Sequence, residues 1–193
     1  MITKSQGYQL IILLTVLIFN AQASDDIFSK KLSLAEKGDA KSQYTIGVAY
    51  IEGSIESKKI PPNNSEAIKW LTKSANQDYI PAIRRLVTEY RQGSISNQDF
   101  DKVFDLSYKA YLLGNRELAN SLGNCYEHGQ GTEKDLVKAY AWYCFSGQTS
   151  NSLIRFKASL TPEKINEAQQ MASDLEKKLK TNTKEVKNPA KKK

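Results

Sequence analysis

Residues 114–129 read GNRELANSLGNCYEHG, and residues 130–146 continue QGTEKDLVKAYAWYCFS. In the first stretch Leu118, Leu122 and Tyr126 stand four residues apart, which puts them on one stripe of an amphipathic helix. The pattern occurs twice upstream, as GDAKSQYTIGVAYIEG over residues 38–53 and DYIPAIRRLVTEYRQG over residues 78–93, at successive offsets of 40 and 36 residues. The corresponding stripes are Ser42, Ile46, Tyr50 and Ala82, Leu86, Tyr90. Self-similarity at this period marks a repeat architecture, in which a unit covers its apolar stripe only by stacking on its neighbour.

A second helix is predicted after each of these. Asn63, Asp99 and Asp135 have the short acceptor side chains that bind the free amides of a first helical turn, and Glu66 three residues after Asn63 completes a capping-box pattern. The inner faces then read Ala67, Trp70, Ser74; Val103, Leu106, Ala110; and Ala139, Trp142, Ser146. The longer first period arises in the loop, where Ile60-Pro61-Pro62 is inserted and the prolines stop either helix from extending. Gly47 and Gly123 carry no side chain and so allow a close helix approach, with the partner's Trp expected beside the repeat Tyr. Val87 and Leu106 replace the Gly and the Trp in the middle copy, which predicts a splayed hairpin there, partly offset by the smaller Leu.

The pattern Ala-x-x-Leu-Gly-x-x-Tyr-x-x-Gly, a loop, and Asp-x-x-x-Ala-x-x-Trp-x-x-Lys-Ala resembles the Sel1-like repeat, a relative of the tetratricopeptide repeat. The third copy matches best, through Leu122-Gly123, Tyr126, Gly129-Gln-Gly131, Asp135, Lys138-Ala139 and Trp142-Tyr143; the first is good and the second degenerate. The resemblance implies an all-α fold, a right-handed alpha-alpha superhelix of helical hairpins. It divides the chain into a leader (1–23), an N-terminal capping half-repeat (24–38), repeats at 39–77, 78–113 and 114–150, a C-terminal capping helix (151–179) and a disordered lysine-rich tail (180–193). Thr161-Pro162 starts the capping helix, whose apolar seam is Ile165, Ala168, Ala172, Leu175 and Leu179.

Lys and Arg outnumber Asp and Glu by 28 to 21, a net charge of +7, and 40% of residues are hydrophobic. That composition excludes collagen-like, wholly disordered and multi-span membrane chains. The charge is not spread evenly. Residues 177–193 hold eight Lys and one Glu, whereas residues 24–176 hold 19 basic and 20 acidic groups, so the body is neutral and the positive charge belongs to the tail. Lys4, the apolar run LIILLTVLIF over residues 10–19, and Ala21 and Ala23 predict an export signal cut after Ala23, with periplasmic or secreted residence. The run is shorter than the ~20 residues of a membrane span, so no span is expected in the mature chain, an uncleaved anchor being the alternative.

No catalytic constellation is legible, and a non-enzyme is expected. A hydrolase triad would have to use His128, the only His, which sits at a helix end where its role is to serve the C-terminal carbonyls. One His and two Cys are too few for a His/Cys zinc site, and no cofactor is expected. Cys125 and Cys144 fall about 9 Å out of register across the hairpin by helical rise, beyond the ~7 Å limit between bridged α-carbons, so two free thiols are expected.

Carried over from the tetratricopeptide relatives, the concave groove is formed by the first helices. This implies binding positions at Tyr44, Arg84, Thr88, Arg91, Asn120, Asn124 and His128. Arg forks and Asn amides suit a carboxylate or a peptide main chain. The function expected is a scaffold binding a protein or peptide in the bacterial envelope or at a host interface, without specific nucleic-acid binding. The alternatives are a cell-wall or β-lactam hydrolase, and contact of the basic tail with anionic envelope components.

Overall fold

The computed structural model describes residues 27–56, 58–147, 153, 156 and 159–187, with side chains up to residue 181. The expected leader, 1–23, and residues 188–193 of the expected tail lie outside the described residues. The chain forms two compact units, Met1–Tyr79 and Ile80–Lys193. The first holds α1 (residues 27–36), α2 (Ala40–Glu52), a two-stranded antiparallel ladder of β1 (Ser54–Ile55) and β2 (Lys58–Lys59), and α3 (Asn64–Asn76). The second holds α4 (Ile80–Gln92), α5 (Phe100–Leu112), α6 (Ala119–His128), α7 (Leu136–Ser146) and α8 (Pro162–Lys187). Within the units α2 packs on α3, α4 on α5, and α6 on α7. The fold is an all-α solenoid of helical hairpins; the short ladder, which the sequence did not predict, occupies the insertion of the first loop and buries Ile55 and Ile60 beside Ala49.

Each hairpin is closed by the same pair of bonds. The caps Asn63, Asp99 and Asp135 accept from Glu66 N, Lys102 N and Lys138 N at 3.1, 3.1 and 2.9 Å. Their own amides donate to the carbonyls of the repeat tyrosines Tyr50, Tyr90 and Tyr126 at 3.0, 3.1 and 2.9 Å. One residue thereby satisfies an orphan amide of the second helix and an orphan carbonyl of the first. The capping-box expectation fails in its second half for this reason: the Asn63 amide already has a partner, and the Glu66 carboxylate accepts from Lys69 at 2.9 Å. Asp39, not singled out in the sequence, caps α2 through Ser42 N at 2.7 Å. At the far end of the first helices Gly53, Gly93 and Gly129 have φ of 69°, 71° and 69°, the left-handed turn that a side chain disfavours.

Gly47 and Gly123 sit where the helices touch. A Cβ on Gly47 would lie 2.8 Å from Leu71 Cγ, and one on Gly123 2.7 Å from the Tyr143 ring. The seat on the glycine is therefore taken by the residue after the Trp, not by the Trp itself. In the middle copy the repeat register pairs Val87 with Ser107, and both are buried. By that register the bulk has moved from one helix to the other, with a buried Ser107 at the position that Leu71 and Tyr143 hold opposite their glycines.

The tryptophans reach the preceding helix. Trp70 is buried with Ala35 of α1, edged by Phe28 and Leu32. Trp142 meets Tyr111 of α5 edge-on at 5.0 Å, with Phe145 at 5.7 Å. Ala35 and Tyr111 occupy the same repeat position, so each Trp joins its hairpin to the second helix before it.

The C-terminal helix starts as expected, with Thr161 O accepting from Ile165 N at 3.0 Å. Its seam covers two hairpins rather than one. Ala168 and Ile165 pack on Tyr140 and Tyr143 of α7, while Ala172, Leu175 and Leu179 cover Tyr111, Trp142 and Phe145, and Tyr111 OH donates to Leu175 O at 3.2 Å. The helix runs to Lys187 instead of ending at residue 179. Lys, Glu, Asn and Thr continue a helix tolerably, and no Gly or Pro intervenes before Pro189.

Two predictions follow from this packing and capping. Gly123→Val forces the Tyr143 ring off α6 and costs roughly 2–4 kcal/mol. In a double-mutant cycle Tyr143→Ser recovers part of that loss, with a coupling of roughly 1–3 kcal/mol in denaturant melts; strictly additive effects contradict the seating of Tyr143 on Gly123. The Asp99 carboxyl is held below its ordinary range by the Lys102 side chain and then by the Lys102 amide. A lowered folded-state pKa gives stability that is complete above the unfolded value of about 3.9 and is lost as pH falls through the folded one. The acid limb of the Tm profile is expected to be shallower for Asp99→Asn, which keeps an acceptor but cannot titrate.

Candidate functional site

Of the seven positions expected to line the groove, Tyr44 lies in the first unit, where its ring tilts against Tyr79 at 5.6 Å. The other six are in the second unit, on α4 and α6. Cross-helix bonds hold this face together. Arg84 Nη1 meets Glu117 Oε2 at 2.7 Å, and Arg91 Nη2 donates to Ser121 Oγ. Thr88 Oγ1 turns back to Arg84 O at 3.1 Å.

Arg84 and Glu117 are each more than half exposed, so their attraction is weak and a ligand carboxylate can compete for the guanidinium. Asn124 is half-buried. Asn120 Oδ1 is shielded from water and has no hydrogen-bond partner, one of three such side-chain atoms among the described residues, with Trp70 Nε1 and Ser107 Oγ. An acceptor left in that state costs about 1–3 kcal/mol until a donor arrives. Glu117 and Ser121 were missed in the sequence, because 33 and 30 residues separate them from Arg84 and Arg91. The 36-residue register aligns Arg84 with Asn120, and was the one signal that could have placed Glu117 a turn away.

His128 Nδ1 lies 3.0 Å from Asn124 O, so its ring serves the last turn of α6. Among the described residues no group of three or more His, Cys, Asp or Glu could hold a metal ion. No described helix is long and apolar enough to cross a membrane.

Both cysteines are free, Cys125 buried and Cys144 half-buried. Burial pushes the Cys125 thiol up to about 11, against the pull of Arg91, and burial raises Cys144 despite its contact with the Tyr140 hydroxyl. Thiolate is the reactive form. Native protein at pH 8 is therefore expected to react slowly with Ellman's reagent at both positions and to release two equivalents once unfolded; fast native reaction of Cys125 contradicts its burial.

Hairpins closed by a shared cap and joined by a Trp define a helical-repeat scaffold. The Sel1 repeat family model matches residues 40–79 and 117–146, which fall on the first and third copies, so these two stretches of the chain are Sel1-like repeats. In fold it is similar to a protective antigen of uropathogenic Escherichia coli displaying an SLR fold, with a TM-score of 0.65 and 23% identity, covering 83% of this chain and 35% of that one. It is also similar to a Sel1 repeat protein from Oxalobacter formigenes, with a TM-score of 0.60 and 24% identity, covering 78% of this chain and 63% of that one. The chain thus spans about a third of the first and under two thirds of the second. No curated protein matches it. Sel1 repeats commonly act as protein-interaction scaffolds.

Proposed function

We propose that this chain is an exported, non-catalytic scaffold that binds a protein or peptide segment in the bacterial envelope or at a host interface. The α4 and α6 face of the second unit is the binding surface. The observation that carries this reading is Asn120 Oδ1, a shielded acceptor without a donor on a face that also displays Arg84 and Arg91. A peptide supplies a main-chain N–H to the amide and an acidic side-chain or C-terminal carboxylate to the guanidinium, which is how polar positions on a rigid helix pair gain specificity. The export half of the reading rests on Lys4, the apolar run and Ala21 and Ala23.

The test is affinity capture from the native cell with full-length bait. Arg84→Ala combined with Asn124→Ala is expected to lose the captured partner at least tenfold while the thermal melt stays unchanged. Capture that survives this double change overturns the assignment of the face. A purified protein that hydrolyses peptidoglycan or nitrocefin, with turnover abolished by His128→Ala, overturns the non-catalytic reading.

A further inference from the structure

One outer line of the second helices can be followed through the repeat register. On α3 it reads Ser65, Lys69, Thr72 and Asn76, all polar, with Ser65, Lys69 and Asn76 exposed. On α7 the same register gives Val137, Ala141 and Cys144, an apolar line that shares one cluster with Leu153, Phe156 and Leu160 of the segment that follows. The line is polar where it meets water and apolar where chain covers it. On α5 it fits neither case. There it reads Asp101, Asp105, Tyr108 and Leu112, at steps of 4, 3 and 4, and Tyr108 and Leu112 remain 36% and 40% exposed. The Phe104 ring lies parallel to Tyr108 at 6.3 Å and edge-on to Tyr126 at 5.5 Å, so the apolar half of the line is braced from below. Asp101 and Asp105 are exposed and form no ion pair among the described residues, while Lys102 is taken up by Asp99 at 2.9 Å.

We propose that this line of α5 is a docking surface for a basic, amphipathic helical segment of another protein. Exposed apolar side chains at a position that is solvated in α3 and covered in α7 mark a place where a cover belongs. The covered copy shows the kind of segment that fits. Phe156 packs on Tyr140, which has the register position of Phe104, at 6.4 Å and on Tyr143 at 5.7 Å, in a segment that is helical at residues 153, 156 and 159. The carboxylates of Asp101 and Asp105 set the charge of the partner and repel nucleic acid and anionic lipid alike. The centre of the acidic pair lies about 10 Å along α5 from the centre of the apolar pair, which is two helical turns. The partner therefore carries aliphatic or aromatic side chains for Tyr108 and Leu112, and Lys or Arg two turns away. This surface is on a second helix, whereas the α4 and α6 face is built from first helices, so the inference does not rest on that reading.

The experiment is site-specific photo-cross-linking of the full chain in its native cell. The photoreactive p-benzoylphenylalanine is placed at Tyr108, at Leu112 or, as the control, at Thr72, which has the register position of Tyr108 on α3. The cross-linked peptides are sequenced by mass spectrometry. Positions 108 and 112 are expected to give one predominant product, at a yield at least tenfold above position 72. Its partner peptide is expected to show apolar residues at helical spacing with Lys or Arg about two turns from the linked residue. Asp101→Asn combined with Asp105→Asn is expected to lower that yield at least fivefold while helix content by circular dichroism stays unchanged. A yield no higher than at position 72, a product joining two copies of this chain, or a lipid product overturns the proposal. So does a partner peptide without basic residues in that range, or a yield indifferent to the two Asp changes.

Discussion

The approach of α6 to α7 at Gly123 is the contact on which the second unit depends. With no side chain on Gly123, the Tyr143 ring lies against the backbone of α6. Seating Tyr143 there fixes the rotation of α7 about its axis, and the adjacent Trp142 is carried into Tyr111 of the previous hairpin. Intra-hairpin closure and inter-hairpin stacking are thus two consequences of one helix rotation. Leu71 and Trp70 repeat the arrangement in the first unit against Gly47 and Ala35. Where the glycine is replaced by Val87, the partner has shrunk to Ser107, so the volume between the helices is conserved although neither residue is.

Closure of each hairpin is insulated from the length of its loop. The cap residue donates to the repeat tyrosine carbonyl and accepts from the second helix, whether thirteen residues separate the two, as from Tyr50 to Asn63, or nine, as from Tyr90 to Asp99 and Tyr126 to Asp135. The first loop uses its added residues to form the small ladder and to bury Ile55 and Ile60. Loops of this kind accept insertion at little cost once their ends are pinned.

The face formed by α4 and α6 is held by the same residues that make it chemically distinctive. Arg91 reaches across to Ser121 of α6, while the exposed Arg84 and Glu117 pair at the edge of the same face contributes little to holding it. Coverage of Trp142 and Phe145 by α8 serves the opposite purpose, closing an apolar surface that would otherwise remain open.

The hairpins, their caps at Asn63, Asp99 and Asp135, the Thr161 start of the last helix and the free cysteines were legible in the sequence, because each depends on local spacing or on residue type. What the sequence misjudged or left open is the partner of several groups. The Asn63 amide went to Tyr50 rather than Glu66, while Tyr143 on Gly123 and Glu117 on Arg84 were partners the spacing did not name; the tryptophans do lie with the repeat tyrosines Tyr50 and Tyr126. Periodicity specifies which residues share a helix face; it leaves the helix rotation free by a fraction of a turn, enough to exchange one neighbour for the next. The sequence by itself determined the repeat and its helices, since amphipathic spacing and capping act within a few residues. Only tertiary structure decided which side chains meet, because that rotation is set by packing volume summed over residues distant in the chain.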